Sequence, residues 1–263
     1  MKPALFALAL ATAIPAWAQE APRFCPNRPD LADTGCTIEP GRVLVEISAF
    51  DWQRSDRGGT REDAISAGDV LARIGVTDHA ELQFGWTAFG QVRTRAAGGP
   101  VRRESGVGDI RLGLRRNLRN PDGKGFTIAA EPFAELPVGG SAIGAGDWSA
   151  GIAVPANLAL DERWTLNVTG QIAGMADEDR RGRHLSMIAV AGLTRSLGES
   201  VSLSGEISVD REQEAGDRRT ESVAAASVAW QPRDGLQLDL LAVAGLSRAA
   251  PDLRLVAGGA ILF

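Results

Sequence analysis

From Trp164 onward apolar and polar residues alternate: Trp164, Leu166, Val168 and Ile172 fall on one face of an extended chain, and Thr165, Asn167, Thr169 and Gln171 on the other. The pattern recurs. Leu82, Phe84, Trp86 and Ala88 alternate with Glu81, Gln83, Gly85 and Thr87, and Val201, Leu203, Ile207 and Val209 with Ser202, Ser204, Glu206 and Ser208. Leu236, Leu238, Leu240, Ala242, Ala244 and Leu246 form a third set. Segments of this kind are predicted at 43–52, 64–76, 80–92, 107–118, 125–135, 147–160, 163–174, 185–197, 200–210, 221–231, 235–246 and 253–263. Helical periodicity is poor. Outside the N-terminus the longest uncharged runs, Trp148–Leu160 and Trp164–Ala176, have 13 residues, short of a membrane helix.

The connections alternate in character. Tight ones fall at Thr77-Asp78-His79, Leu118–Lys124, Asp161-Glu162, Leu197–Ser200 and Pro232–Gly235, and long polar ones at 53–63, 93–106, 136–146, 175–184, 211–220 and 247–252. Short turns on one side and long loops on the other, with an even strand count, predict an all-β, antiparallel, up-and-down transmembrane barrel of about 12 strands in a bacterial outer membrane. A soluble sandwich would need loops of similar length at both ends. Trp52 and Trp148 are expected at the external membrane interface, with Trp164 and Trp230 at the periplasmic one. The terminal strand RLVAGGAILF, ending on Phe263, carries the signal by which barrel-assembly machinery is expected to take the chain.

Twelve strands about 4.8 Å apart and tilted about 40° close a cylinder roughly 24 Å across at the backbone, which side chains narrow to about 12 Å. Period two turns Glu46, Arg73, Glu81, Arg111, Arg115, Glu131, Glu135, Glu206, Asp239 and Arg254 inward as pore-lining candidates. Their mixed charges either satisfy one another across the barrel or form a polar constriction that selects permeants. Arg111 and Arg115, on one face of one strand, suggest a local positive wall. Phe50, Phe89 and Phe133 are bulky inward candidates for blocking the bore.

Composition narrows the classes left. With 28 basic and 33 acidic residues and a net charge of −5, no basic surface for nucleic acid is visible, so nucleic acid is not an expected partner. Lys2, the apolar run Ala4–Ile14 and Ala16-Trp17-Ala18 have the form of a secretory signal, residues 1–18, cleaved after Ala18. Export places Cys25 and Cys36, in CPNRPDLADTGC, in an oxidising compartment. A disulfide suits them: a metal site lacks nearby His or further Cys, and a redox pair would show two intervening residues. Residues 19–36 are then a periplasmic N-terminal arm, and 37–263 the barrel.

Three pieces carry a resemblance: GVTDHAEL at 75–82, GVGD at 106–109 followed by IRLGLRRNL, and AELPVGG at 134–140. With the CPNRP…GC arm they resemble the outer-membrane transporter family of the MetA-pathway-of-phenol-degradation type. That resemblance implies a barrel importing hydrophobic or aromatic compounds, and no catalytic residues. It departs from the family at Val138, where Thr is expected, and in having no Tyr. On their own chemistry, the Thr-Asp pair of GVTDHAEL starts a turn, and GVGD lacks the Lys-Ser/Thr and helix of a phosphate cradle. Gly258-Gly259 marks a bend or close packing.

Two further constellations bear on function. His184-Leu185-Ser186 puts a base and a hydroxyl on one face at an external strand end, as membrane acyl hydrolases do. The greasier Leu185 and Met187 turn that pair inward, and no Asp or Asn stands in the order those enzymes use. Arg180, Arg181 and Arg183, in a charged surface loop, could meet lipopolysaccharide phosphates. No metal or cofactor is expected and no enzyme. The reading is a porin-like channel for a small-molecule permeant in contact with outer-membrane lipid and lipopolysaccharide. A closed structural barrel is the alternative, and an acyl hydrolase using His184 and Ser186 a more distant one.

Overall fold

The computed structural model describes residues 22–140, 143–177, 182–214 and 217–263; the expected signal segment and its cleavage site lie outside them. Its strands are β1 (Val43–Arg57), β2 (Thr60–Thr77), β3 (Ala80–Ala96), β4 (Val101–Gly106), β5 (Ile110–Arg119), β6 (Phe126–Leu136), β7 (Ser149–Ala159), β8 (Trp164–Ala176), β9 (Arg183–Ser196), β10 (Val201–Glu214), β11 (Asp217–Arg233), β12 (Leu236–Gly245) and β13 (Leu253–Leu262). Every pairing is antiparallel, and β1 against β13 closes the ring. Both β4 and β5 pair with β3, at Gly90–Arg95 and Ala80–Trp86 respectively, so they share one wall position. The 13 strands thus make a closed 12-strand barrel.

Burial is inverted relative to a water-soluble protein. Large apolar side chains such as Ile172, Leu193, Ile207, Leu238 and Leu240 are exposed, while Arg73, Glu81, Arg115, Glu131 and Asp239 are buried. A barrel with lipid outside and polar groups inside has this arrangement, and a soluble sandwich does not. Replacing Leu240, midway along β12, by arginine is therefore expected to cost about 2–4 kcal/mol, read from urea unfolding in lipid vesicles.

Three of the long connections expected from the sequence are mostly strand. β1 runs 15 residues and β2 18, joined only by Gly58-Gly59, whose φ angles of 58° and 79° suit glycine. Crossing a bilayer takes about 9–11 residues, so these hairpins rise well beyond it. Residues 93–96, 101–106, 211–214 and 217–220 likewise belong to paired strands. Out there both faces are polar, so the ladder continues after the hydrophobic alternation has stopped.

Phe50 and Phe89 point to lipid, 44% and 45% exposed, and only Phe133 is buried inside. A bulge between Ser48 and Phe50 is the reason in β1: one unpaired residue reverses the faces, so Asp51 follows Ser48 inward. In β3 the pleat changes phase between Gly85 and Gly90, both buried on the inner side.

Candidate functional site

The arm leading into β1 does not hang in the periplasm. Residues 22–42 have no regular structure and cross the bore near the short-turn end. Irregular backbone inside a barrel leaves N–H and C=O groups that must find partners. The inward charges of the wall supply them. Glu46 Oε2 accepts the Arg28 amide at 2.9 Å, and Glu206 accepts those of Leu31 and Ala32 at 2.6 and 3.0 Å. Glu81 Oε2 accepts the Ile38 amide at 2.9 Å, and Asn157 that of Gly35 at 2.6 Å. Arg73 Nη1 donates to the Cys25 carbonyl at 2.8 Å, Arg73 Nη2 to that of Cys36 at 3.1 Å, and Asn117 Nδ2 to that of Gly35 at 2.7 Å.

Side chains of the arm complete the fit. Arg28 donates to Ser48 Oγ at 2.6 Å and to Asp239 Oδ1 at 2.6 Å, while its carbonyl accepts Gln237 Nε2 at 2.8 Å. Gly258 stands where an added Cβ would meet that guanidinium, so close packing explains it. Asp30 accepts Ser227 Oγ at 2.8 Å. Asn27 Oδ1 receives Nη1 and Nη2 of Arg115, both at 3.2 Å. Cys25 and Cys36 form the disulfide, closing the loop that carries all of these contacts except that of Ile38.

The ten inward candidates thus divide by depth. Glu46, Arg73, Glu81, Arg115, Glu131, Glu206 and Asp239 are buried around the arm. Arg111, Glu135 and Arg254 lie higher, their side chains 29%, 28% and 38% exposed. Arg111 and Arg115 share a face but make no positive wall. Arg115 is matched by Glu131 at 2.7 Å, and Arg111 by Glu135 at 3.1 Å with its guanidinium 3.5 Å above the Phe133 ring. Arg254 meets Asp51 at 2.6 Å.

Above the arm the bore opens into a chamber of about 560 Å³. Asn27 and Asp33 of the arm form its floor; Asp69, Gln83, Trp86, Arg111, Glu131, Glu135 and Gln171 line its walls. Ile143–Ala145, from the connection after β6, roof it. Asp109, in the break between β4 and β5, holds that roof by accepting the Gly139 and Ala145 amides at 2.9 and 2.7 Å. A smaller cavity of about 190 Å³ lies across the bore, touching Leu31 of the arm and lined by Asp210, Glu221 and Arg254. Burial pushes the Asp33 carboxyl up to about 6; nearby Glu131 adds to this, and Arg115 and Arg111 oppose it.

His184 and Ser186 face inward, and each hydrogen-bonds to a carboxylate rather than to the other. Ser186 Oγ donates to Asp210 Oδ1 at 3.4 Å, and His184 Nδ1 lies 3.0 Å from Asp177 Oδ1, a carboxylate the spacing did not single out. Of the expected interface residues, Trp148 and Trp230 are 51% and 49% exposed and Phe263 61%. Trp52 and Trp164 carry Arg54 and Arg195 over their rings, at 4.7 and 5.3 Å. Arg180 and Arg181 lie outside the described residues, and Arg183 is occupied by Asp147 at 3.3 Å and the Trp148 ring at 3.8 Å. The arm's place in the bore has one sequence signal, the excess of inward charge on the short-turn halves of the strands.

No curated protein matches the chain in sequence. Among solved structures, the porin NanC superposes with a TM-score of 0.52 at 7% identity, covering 83% of this chain and 98% of its own. The translocator domain of the autotransporter NalP from Neisseria meningitidis gives 0.52 at 11%, covering 85% and 88%. The beta domain of the Bordetella autotransporter BrkA gives 0.53 at 12%, covering 86% and 100%. At these identities the likeness is one of fold, that of outer-membrane barrels. A family profile described as "Putative MetA-pathway of phenol degradation" matches residues 26–263, arm and barrel together, and the chain belongs to that family.

Proposed function

We propose that the protein is an outer-membrane channel for small molecules, in which the arm is the gate and the chamber above it holds the permeant. One observation carries this reading: the floor of the chamber is the arm itself. A volume near 560 Å³ lies within the range of small-molecule sites. Arg111, stacked on Phe133, presents a cationic group beside the carboxylates of Asp69, Glu131 and Glu135, a lining suited to a small molecule with polar substituents. The family's phenol-degradation description supports the same substrate class. In this reading the chain is exported with cleavage after Ala18, and its terminal strand is handed to the barrel-assembly machinery.

The test is single-channel current from the full chain in planar bilayers, beside a Cys25→Ser/Cys36→Ser variant. The disulfide holds the docked segment as one loop, a constraint worth about 3 kcal/mol in the chain-entropy picture. The oxidised chain is expected to open rarely and the variant frequently, with phenol in the bath interrupting the current. A second reading, a barrel whose lumen stays shut, is favoured by the buried ion network around Arg73 and Arg115. Silence from both proteins, each folded and inserted, would decide for it.

A further inference from the structure

On the outward side of β1–β4 the register stacks side chains in rows across the strands. Trp52 stands opposite Ile65, Ile65 opposite Gln91, and Gln91 opposite Ser105. Ile65 is exposed, and the exposed Phe50 and Phe89 lie below this row, so it marks the upper margin of the apolar band. Two residues further out the row is Arg54, Asp63, Arg93 and Arg103, and the next is Asp56, Arg61, Arg95 and Val101. Two residues of strand advance about 6.6 Å, so the first charged row starts within a headgroup's depth of the aromatic one.

The charges in these rows do not balance. Five arginines face two aspartates, and Asp63 is already taken by Arg54 and Arg61, both at 2.9 Å. Arg93, Arg95 and Arg103 have no acidic partner among the described residues, and Arg93 Nε is buried without a hydrogen-bond acceptor. Register also sets arginine directly against arginine twice, Arg93 with Arg103 and Arg61 with Arg95. Like charges directly opposite destabilise a ladder unless an anion lies between them. Guanidinium forks on neighbouring strands can each grip a phosphate through two parallel hydrogen bonds.

We propose that this face is a binding site for the phosphates of a phosphorylated glycolipid in the outer leaflet. The inference is independent of the channel reading, because it concerns the outer wall. It also puts lipid phosphate on the β2–β4 hairpins rather than on the Arg180–Arg183 segment.

The experiment uses the full chain in detergent with bisphosphorylated lipid A, dephosphorylated lipid A and inorganic phosphate as probes, beside an Arg93→Gln/Arg95→Gln/Arg103→Gln variant. Heat-modifiable gel migration verifies that both proteins are folded. If the triple variant fails that check, Arg103→Gln alone, on the short β4, replaces it. Bisphosphorylated lipid A is expected to bind the variant about tenfold or more weakly, since each lost charge-assisted bond is worth about that factor. The dephosphorylated lipid should not distinguish the two proteins. Equal binding of bisphosphorylated lipid A by wild type and variant overturns the proposal. So does displacement of the lipid by millimolar inorganic phosphate, which would assign the arginines to a soluble anion.

Discussion

Substituting Arg73 by methionine is expected to lower the barrel's unfolding free energy by about 3–5 kcal/mol, the usual cost of removing one partner from a buried ion pair. Arg73 has no exposed surface and sits between Glu81 at 2.7 Å and Glu46 at 3.2 Å. Its loss leaves the buried Glu46 and Glu81 without their shared guanidinium, Glu81 keeping only Arg115 at 3.6 Å as a cationic partner, and removes the donor to the Cys25 carbonyl. Unfolding in urea, followed by tryptophan fluorescence in lipid vesicles, reads the effect directly. Adding Glu81→Gln removes one of the two carboxylates left beside the vacated position and should recover part of the loss. Arg102 and Glu104, 3.2 Å apart but 80% and 51% exposed, provide the contrast: removing either should change little. Equal effects at the two pairs would mean that the inner network is solvated.

Raising the pH from about 4 to 7 is expected to weaken docking of the arm on the order of a hundredfold through Asp33 alone. Its carboxyl, ordinarily at 3.8, is held at about 6 by burial in the docked arm. Docked protein therefore keeps a proton that the released arm gives up, and over this window protons favour docking. The stabilisation is complete below about pH 4, declines as pH rises through 6, and is gone above about 7. Burial also raises Asp30, against the hydrogen bonds from Ser227, Ser204 and Thr194, and it acts in the same direction. Protease cleavage within the arm, measured on the Cys25→Ser/Cys36→Ser variant across this range, reports release. Asp33→Asn should flatten most of the slope, and a slope unchanged by that substitution would remove Asp33 from the account.

Twelve wall strands were legible because lipid on one side and polar groups on the other impose period two. The signal is lost where the physics changes. The upper parts of β1–β4 carry polar side chains on both faces, so pairing continues there without alternation, and 93–106 looks like a loop. Phe50 and Phe89 were misplaced because a bulge or pleat change consumes one residue and reverses every side chain beyond it. The inward direction of Arg73, Glu81 and Glu206 followed from spacing; their partners did not. Those partners are backbone amides and carbonyls of an irregular segment, and main-chain groups leave no mark in residue types. Asp177 is not marked beside His184 for a similar reason: the two stand seven positions apart on either side of a connection.

Arg28 reaches both sides of the line where the ring is sewn shut. Its amide and guanidinium engage Glu46 and Ser48 on β1, the same guanidinium grips Asp239 on β12, and Gly258 of β13 lies between. The segment is thus a splint laid across the joint, tying the first strand to the last two from within. Release of the arm would therefore take away the inner fastening of the seam together with the filling of the lower bore.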